Sequence, residues 1–165
     1  MKVGLISDTH DNLAMVQRAF ELFESEGVES VVHAGDWVAP FTARKFQAYS
    51  GRLFGSYGNN DGEVIGLSRV FRDMDAVVKG EFTEFELDGE RIAVMHGTYP
   101  PVLEAVARSG DYPVIITGHT HVPRVEREKD VLLVNPGEAC GYLYGRCTVG
   151  IMDTREREVD IHDLA

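Results

Sequence analysis

Basic residues are scarce. Sixteen lysines and arginines stand against 27 aspartates and glutamates, a net charge of −11 over 165 residues. A polyanion would be repelled by most of such a surface, so nucleic acid is not an expected partner. A small anionic substrate stays admissible if one local site is positive. Cysteine is limited to Cys140 and Cys147, whose spacing makes neither a metal motif nor a disulfide framework. Both are read as free thiols in buried or half-buried positions. No window approaches the roughly 20 apolar residues of a membrane span. The opening "MKVGLISDTHDN" lacks the apolar core and cleavage site of a signal peptide. A cytoplasmic location and no membrane partner are therefore expected. Repeats, low-complexity tracts and flexible linkers are missing, so residues 1–165 read as one domain. There is no P-loop and no H-E-x-x-H. The nearest approach to G-x-S-x-G, "FGSYG", has Phe54 where the first glycine belongs.

What is present is a chain of short apolar runs, each closed by polar residues. "KVGLIS" (2–7) reads as a buried strand. A helix follows from Asn12, a suitable N-cap, to Glu26, with Leu13, Val16, Phe20 and Phe23 at helical spacing and Gly27 at its stop. Residues 28–35 make a second strand, 40–49 a second helix, 52–58 a third strand and about 63–75 a third helix. The later sequence changes character. "EFTEFELDGERIAVMHG" alternates on both sides of Asp88-Gly89, the signature of a hairpin. A short helix at 101–108 starts near Pro100 and Pro101, and "PVIITG" (113–118) is another buried strand. The remainder reads as a run of antiparallel strands. In it "VNPGEACGY" (134–142) is read as a plain connection, with a part in shaping the pocket as the alternative, and "TREREVD" (154–160) as a solvated turn between edge strands. Strand–helix alternation followed by hairpins predicts a mixed α/β sandwich.

The chemistry lies at the strand ends. After 2–7 comes Asp8-Thr9-His10, after 28–34 Gly35-Asp36, and after 52–57 Gly58-Asn59-Asn60-Asp61. After 91–95 comes His96-Gly97, and after 113–117 Gly118-His119-Thr120-His121. In α/β sheets the carboxyl ends of strands are where ligands bind. Imidazole, carboxylate and amide oxygen together suit borderline transition ions such as Mn²⁺, Fe²⁺, Ni²⁺ or Zn²⁺. Four histidines argue against a pure Mg²⁺ or Ca²⁺ site, which prefers oxygen. Asp8, His10, Asp36, Asn59, His96, His119 and His121 are too many for one tetrahedral ion and suit two ions sharing a carboxylate. Such a centre can hold a phosphate inside an acidic protein. His33 and His162 match no block and are read as a satisfied strand histidine and a surface residue.

The five blocks in this order resemble the signature of the calcineurin-like metallophosphoesterases, over nearly the whole chain. The small size and the "GNND" and "NPGE" variants are similar to the superfamily's single-domain phosphodiesterase branch. The resemblance implies an α/β fold of two packed mixed β-sheets flanked by helices, a four-layer αββα sandwich. It implies that Asp8, His10 and His121 hold one ion, that Asn59, His96 and His119 hold a second, and that Asp36 bridges them. The ions would be Mn, Ni, Fe or Zn, with manganese or nickel favoured. Hydrolysis of a small phosphodiester would proceed by in-line attack of a hydroxide shared between the ions. Many members carry histidine where this chain has Asn60, at the leaving-group end of the reaction. Asn60 can donate a hydrogen bond to substrate but cannot supply a proton as imidazolium does. A rival within the same fold resembles the retromer subunit of the vacuolar sorting machinery, a protein-binding scaffold whose metal motifs are eroded. Exposed hairpin edges leave a homo-oligomer open.

Overall fold

The computed structural model describes residues 1–164. Three short apolar segments, β1 (Lys2–Ile6), β2 (Ser30–His33) and β3 (Arg52–Gly55), lie parallel and side by side. Each is followed by a helix: α1 (Leu13–Ser25), α2 (Pro40–Lys45) and α3 (Val64–Asp73). α1 starts where Asn12 accepts the N–H of Met15 at 3.3 Å, and it stops at Gly27, whose φ of +69° suits a residue without a side chain. The helix expected over 40–49 is instead α2 plus a 3-10 turn at Phe46–Ala48. A two-residue strand, β4 (Val77–Val78), pairs with β3 and is too short to leave a periodic signal.

The hairpin at Asp88-Gly89 joins β5 (Phe82–Leu87) to β6 (Glu90–Met95), with φ of +53° and +80° at its two central residues. Helix α4 (Pro100–Ser109) then leads to β7 (Val114–Ile116). The remaining strands are β8 (Arg124–Glu128), β9 (Val131–Asn135), β10 (Thr148–Asp153) and β11 (Glu158–Asp163). They are not a simple antiparallel run. β9 pairs antiparallel with β8 but parallel with β7, and β10 returns to the first sheet, antiparallel to β1. The two sheets run β11-β10-β1-β2-β3-β4 and β5-β6-β7-β9-β8. Only β11 of the last pair is an edge, so the 154–157 turn joins an interior strand to an edge strand.

The layers follow from the period-2 alternation of the strands. Val3, Leu5, Val32, Phe54 and Met152 face Ile92, Val94, Ile116, Leu132 and Val134 across the inter-sheet core. The opposite face of the first sheet, with Ile6, Val31 and Ile151, packs on Val16, Phe20 and Phe23 of α1 and on Leu67 and Phe71 of α3. Behind the second sheet, Ala93 and Ile115 meet Leu103, Val106 and Ala107 of α4. The result is the expected αββα order. The strand ends are level: Ile6 pairs with His33, His33 with Gly55, and Val94 with Ile116. Parallel strands of both sheets thus deliver their following loops to one rim. Among the described residues, no helix is long and apolar enough to cross a membrane.

Candidate metal centre

The rim loops are tied to one another through the backbone. Asp8 N–H donates to Gly35 O, His10 N–H to Asp36 O, and Gly118 N–H to His96 O, at 3.0–3.1 Å. Asp8, His10, Asp36, His119 and His121 all take left-handed φ, between +40° and +68°. Asp and His tolerate this region better than most residues, and its concentration here is typical of functional sites. The approach is close. A Cβ on Gly58 would collide with the Asp36 carboxylate, and one on Gly118 would collide with Ser7 and Asp8.

Asp8, His10, Asp36 and His121 present ligand atoms within 4.8 Å of one another. Asp36 Oδ2 lies 3.3 Å from both His10 Nε2 and His96 Nε2. Asp8 Oδ1 lies 3.2 Å from His121 Nε2 and 3.9 Å from His10 and His96 Nε2. Ligands about 2.1 Å from a shared ion stand roughly 3.0–3.4 Å apart at octahedral or tetrahedral angles, so most of these spacings suit coordination. Tautomers sharpen the point. His96 Nδ1 donates to Ala34 O at 2.7 Å, and His121 Nδ1 donates to Glu138 at 2.7 Å. With those protons committed, each neutral ring turns a bare Nε2 lone pair toward a carboxylate oxygen. Two lone-pair atoms in that position repel unless a cation lies between them. Asp8 Oδ1, His10 Nε2 and His96 Nε2 are buried without any hydrogen-bond partner among the described residues, so the donor set fits a divalent ion.

The electrostatics agree. Burial works against ionising Asp36, yet the rings of His10 and His96 and the Asn60 amide hold it well below the usual carboxylate range. Burial pushes Asp8 up. His10 is raised by its contact with Asp36. His96 is raised too, because Asp36 and Asp8 outweigh the opposing effect of its burial. The two carboxylates demand positive charge, from protons or from metal.

The remaining two expected ligands stand to one side. His119 Nδ1 and Asn59 Oδ1 meet at 2.9 Å, Thr98 Oγ1 donates to the same Asn59 oxygen at 3.4 Å, and the His119 ring packs edge-on to His96 at 5.2 Å. His119 also donates its backbone N–H to Asp8 Oδ2. Asn60 lies against Asp36, giving its backbone N–H to Oδ1 at 2.8 Å and its amide to Oδ2 at 2.7 Å.

Three supporting residues lie in the "GNND" and "NPGE" blocks, but their roles emerge only in the fold. Glu138, inside the segment taken for a plain connection, is fully buried; besides His121 it accepts the N–H groups of Leu143 (3.0 Å) and Tyr144 (2.7 Å). Its signals were the "NPGE" variant and a carboxylate in the otherwise uncharged "VNPGEACGY". Asp61 staples the rim, accepting N–H groups from Asp36, Val38 and Gly58. Asn135 holds Gly118 O at 2.6 Å. His33 is satisfied as expected: Gly35 N–H donates to Nδ1, so Nε2–H is left for Thr9 Oγ1, and burial keeps the ring neutral. His162 sits half-buried on β11, paired with Val149, rather than on the open surface. Both cysteines are free, and Cys140 lies beside His10 and His121 with its thiol pushed up to about 12 by burial.

The sequence profile of the calcineurin-like phosphoesterase superfamily domain matches residues 1–157. The chain belongs to that superfamily. Phosphodiesterase MJ0936 of Methanocaldococcus jannaschii is 42% identical to this phosphoesterase over 159 residues, covering 96% of each chain. An archaeal phosphodiesterase of known structure superposes with a TM-score of 0.94 at 41% identity, over 99% of each chain. Vps29 of Entamoeba histolytica, solved with zinc, shares the fold at a TM-score of 0.70 and 16% identity over the whole of both chains.

Proposed function

We propose that this phosphoesterase is a metal-dependent phosphodiesterase using two divalent ions. Asp8, His10 and His121 would hold one, Asn59, His96 and His119 the other, and Asp36 both. The observation that carries this reading is the place of Asp36 Oδ2, 3.3 Å from an imidazole nitrogen on either side. Manganese or nickel is favoured, with iron or zinc as alternatives. The ions would supply a water of lowered pKa and positive charge for the phosphoryl oxygens. The chain's own groups do the rest. Ala34 O and Glu138 hold His96 and His121 with Nε2 turned inward. Asn60 gives its backbone N–H and one amide hydrogen to Asp36, and its second amide hydrogen would be left for a substrate oxygen. Water is the nucleophile, because the one thiol in the cluster, Cys140, is held protonated by burial.

Asn60 cannot protonate a departing alkoxide. Small phosphodiesters with a good leaving group are therefore the expected substrates, and unactivated alkyl monoesters should turn over weakly. The test is hydrolysis of a chromogenic bis-aryl phosphate by protein reconstituted separately with Mn²⁺, Ni²⁺ and Zn²⁺. Metal binding alone does not separate an enzyme from a scaffold, so turnover decides between them. Tightly bound metal with no turnover of any phosphoester would favour the scaffold reading.

A further inference from the structure

We infer that the cleft beside Asn59 and His96 binds a neutral, flat aromatic arm of the phosphodiester. This rests on the phosphodiesterase reading and adds a substrate class to it. The cleft has a volume of about 640 Å³, and both Asn59 and His96 line it, so an occupant reaches the metal centre. Its size lies in the range of small-molecule sites, roughly 300–1,000 Å³, and exceeds what a methyl arm would fill. Tyr57, Phe82, Met95, Tyr99, Val102 and Val106 form the apolar wall. Tyr99 is 63% and Val102 51% exposed, an apolar surface the chain itself leaves uncovered. The wall is also held in place. Thr98 Oγ1 donates to Asn59, the Tyr99 backbone stands at the N-cap position of α4, and Val106 packs behind the second sheet.

Charge narrows the occupant. Among the described residues, no lysine or arginine lines the cleft, and the charged lining is Asp61 and Glu81. The Asp61 carboxylate is already taken by three backbone N–H groups, while Glu81 makes no ion pair among the described residues and adds uncompensated negative charge. A second phosphate or carboxylate on the arm would therefore meet repulsion and no partner. Aromatic rings stack favourably on tyrosine and phenylalanine, so a flat uncharged ring fits both shape and charge.

The test uses phosphinates, whose phosphorus–carbon bonds are not hydrolysed, titrated by calorimetry into the metal-loaded protein. Diphenylphosphinate should bind at least about tenfold more tightly than dimethylphosphinate, the scale expected for burying one ring. Bis(4-carboxyphenyl)phosphinate should bind more weakly than diphenylphosphinate. Val102→Trp, which fills the cleft from an exposed helix position, and Tyr99→Ala should each reduce the phenyl preference at least threefold. Val125→Trp, at an exposed valine on β8, should keep it. Equal affinity for the two phosphinates, no binding of diphenylphosphinate, or a preference unchanged in both cleft variants would overturn the inference. A chain that hydrolyses diesters without any aryl preference loses only the cleft. One that binds diphenylphosphinate selectively yet hydrolyses nothing loses only the phosphodiesterase reading.

Discussion

The two sides of the centre are built differently. Around Asp8 and Asp36 the ligand atoms are buried, the rings of His96 and His121 are fixed by hydrogen bonds on their far nitrogens, and the oxygens of Asp36 are held by Asn60. On the other side Asn59 is exposed, and its oxygen already accepts from His119 and Thr98. An ion there must compete with two donors for one oxygen. The carboxylate side is preorganised, and the Asn59–His119 side would have to rearrange to take an ion. Two ions should therefore bind in two steps, the tighter on the Asp8 side.

The largest effect should come from the residue common to both sides. Asp36→Asn keeps the shape but removes the one negative charge that two cations would share, and kcat/KM for a bis-aryl phosphate should fall by on the order of 10³. A loss below tenfold would remove Asp36 from the centre. Asn59→Ala comes next. Metal content should drop from two ions per chain toward one, with kcat down about a hundredfold, while the tighter metal affinity stays within about twofold. If the tighter affinity collapses too, the two sides are not separable and the contrast is broken.

Glu138→Gln probes the preorganised side from behind. Glutamine offers one acceptor oxygen where Glu138 uses both, one for Tyr144 and the other for His121 and Leu143. Partners behind a ligating histidine typically contribute about 10–100-fold in metal affinity. The loss should appear in the tighter step of a competitive metal titration and leave the weaker step unchanged. Equal losses in both steps would show that Glu138 only supports the fold.

The sequence displayed the preorganised chemistry better than its support. Asp8, Asp36, His96 and the His119/His121 pair were legible because each follows a short apolar strand, and level parallel strands bring such ends together. The role of Glu138 was not legible, because it depends on N–H groups from His121, Leu143 and Tyr144 that converge only in the folded chain. Sheet assignment behaved in the same way. The β8–β9 hairpin is local and was readable, whereas the parallel pairing of β9 with β7 is decided by closure of the second sheet. Asn60 shows a middle case: its block was visible, but its close contact with Asp36 is a matter of geometry.

The smallest effect concerns what replaces the ions when they are removed. Without metal, positive charge on the carboxylate side comes from protons on His10 and His96, whose folded pKa values lie above the ordinary 6.5. A group raised on folding stabilises the fold fully below its unfolded pKa, and that contribution is lost as pH rises through the folded value. Asp8, raised by burial, acts in the same direction. Asp36 is lowered, so its contribution is lost only on acidification below 3.8 and is constant above neutrality. His33 and His119 are lowered as well, and their penalty falls below about 6.5. Above about 6.5 the raised histidines are left to act, joined toward about pH 8.5 by the thiols of Cys140 and Cys147, which burial also raises. The metal-free chain should therefore fall in Tm as pH rises from about 6.5 toward about 8. The metal-loaded chain should change less, because ions would take the place of those protons at Nε2. A metal-free Tm that rises with pH would mean that imidazolium does not stand in for metal beside Asp36, and the electrostatic half of the contrast would fail.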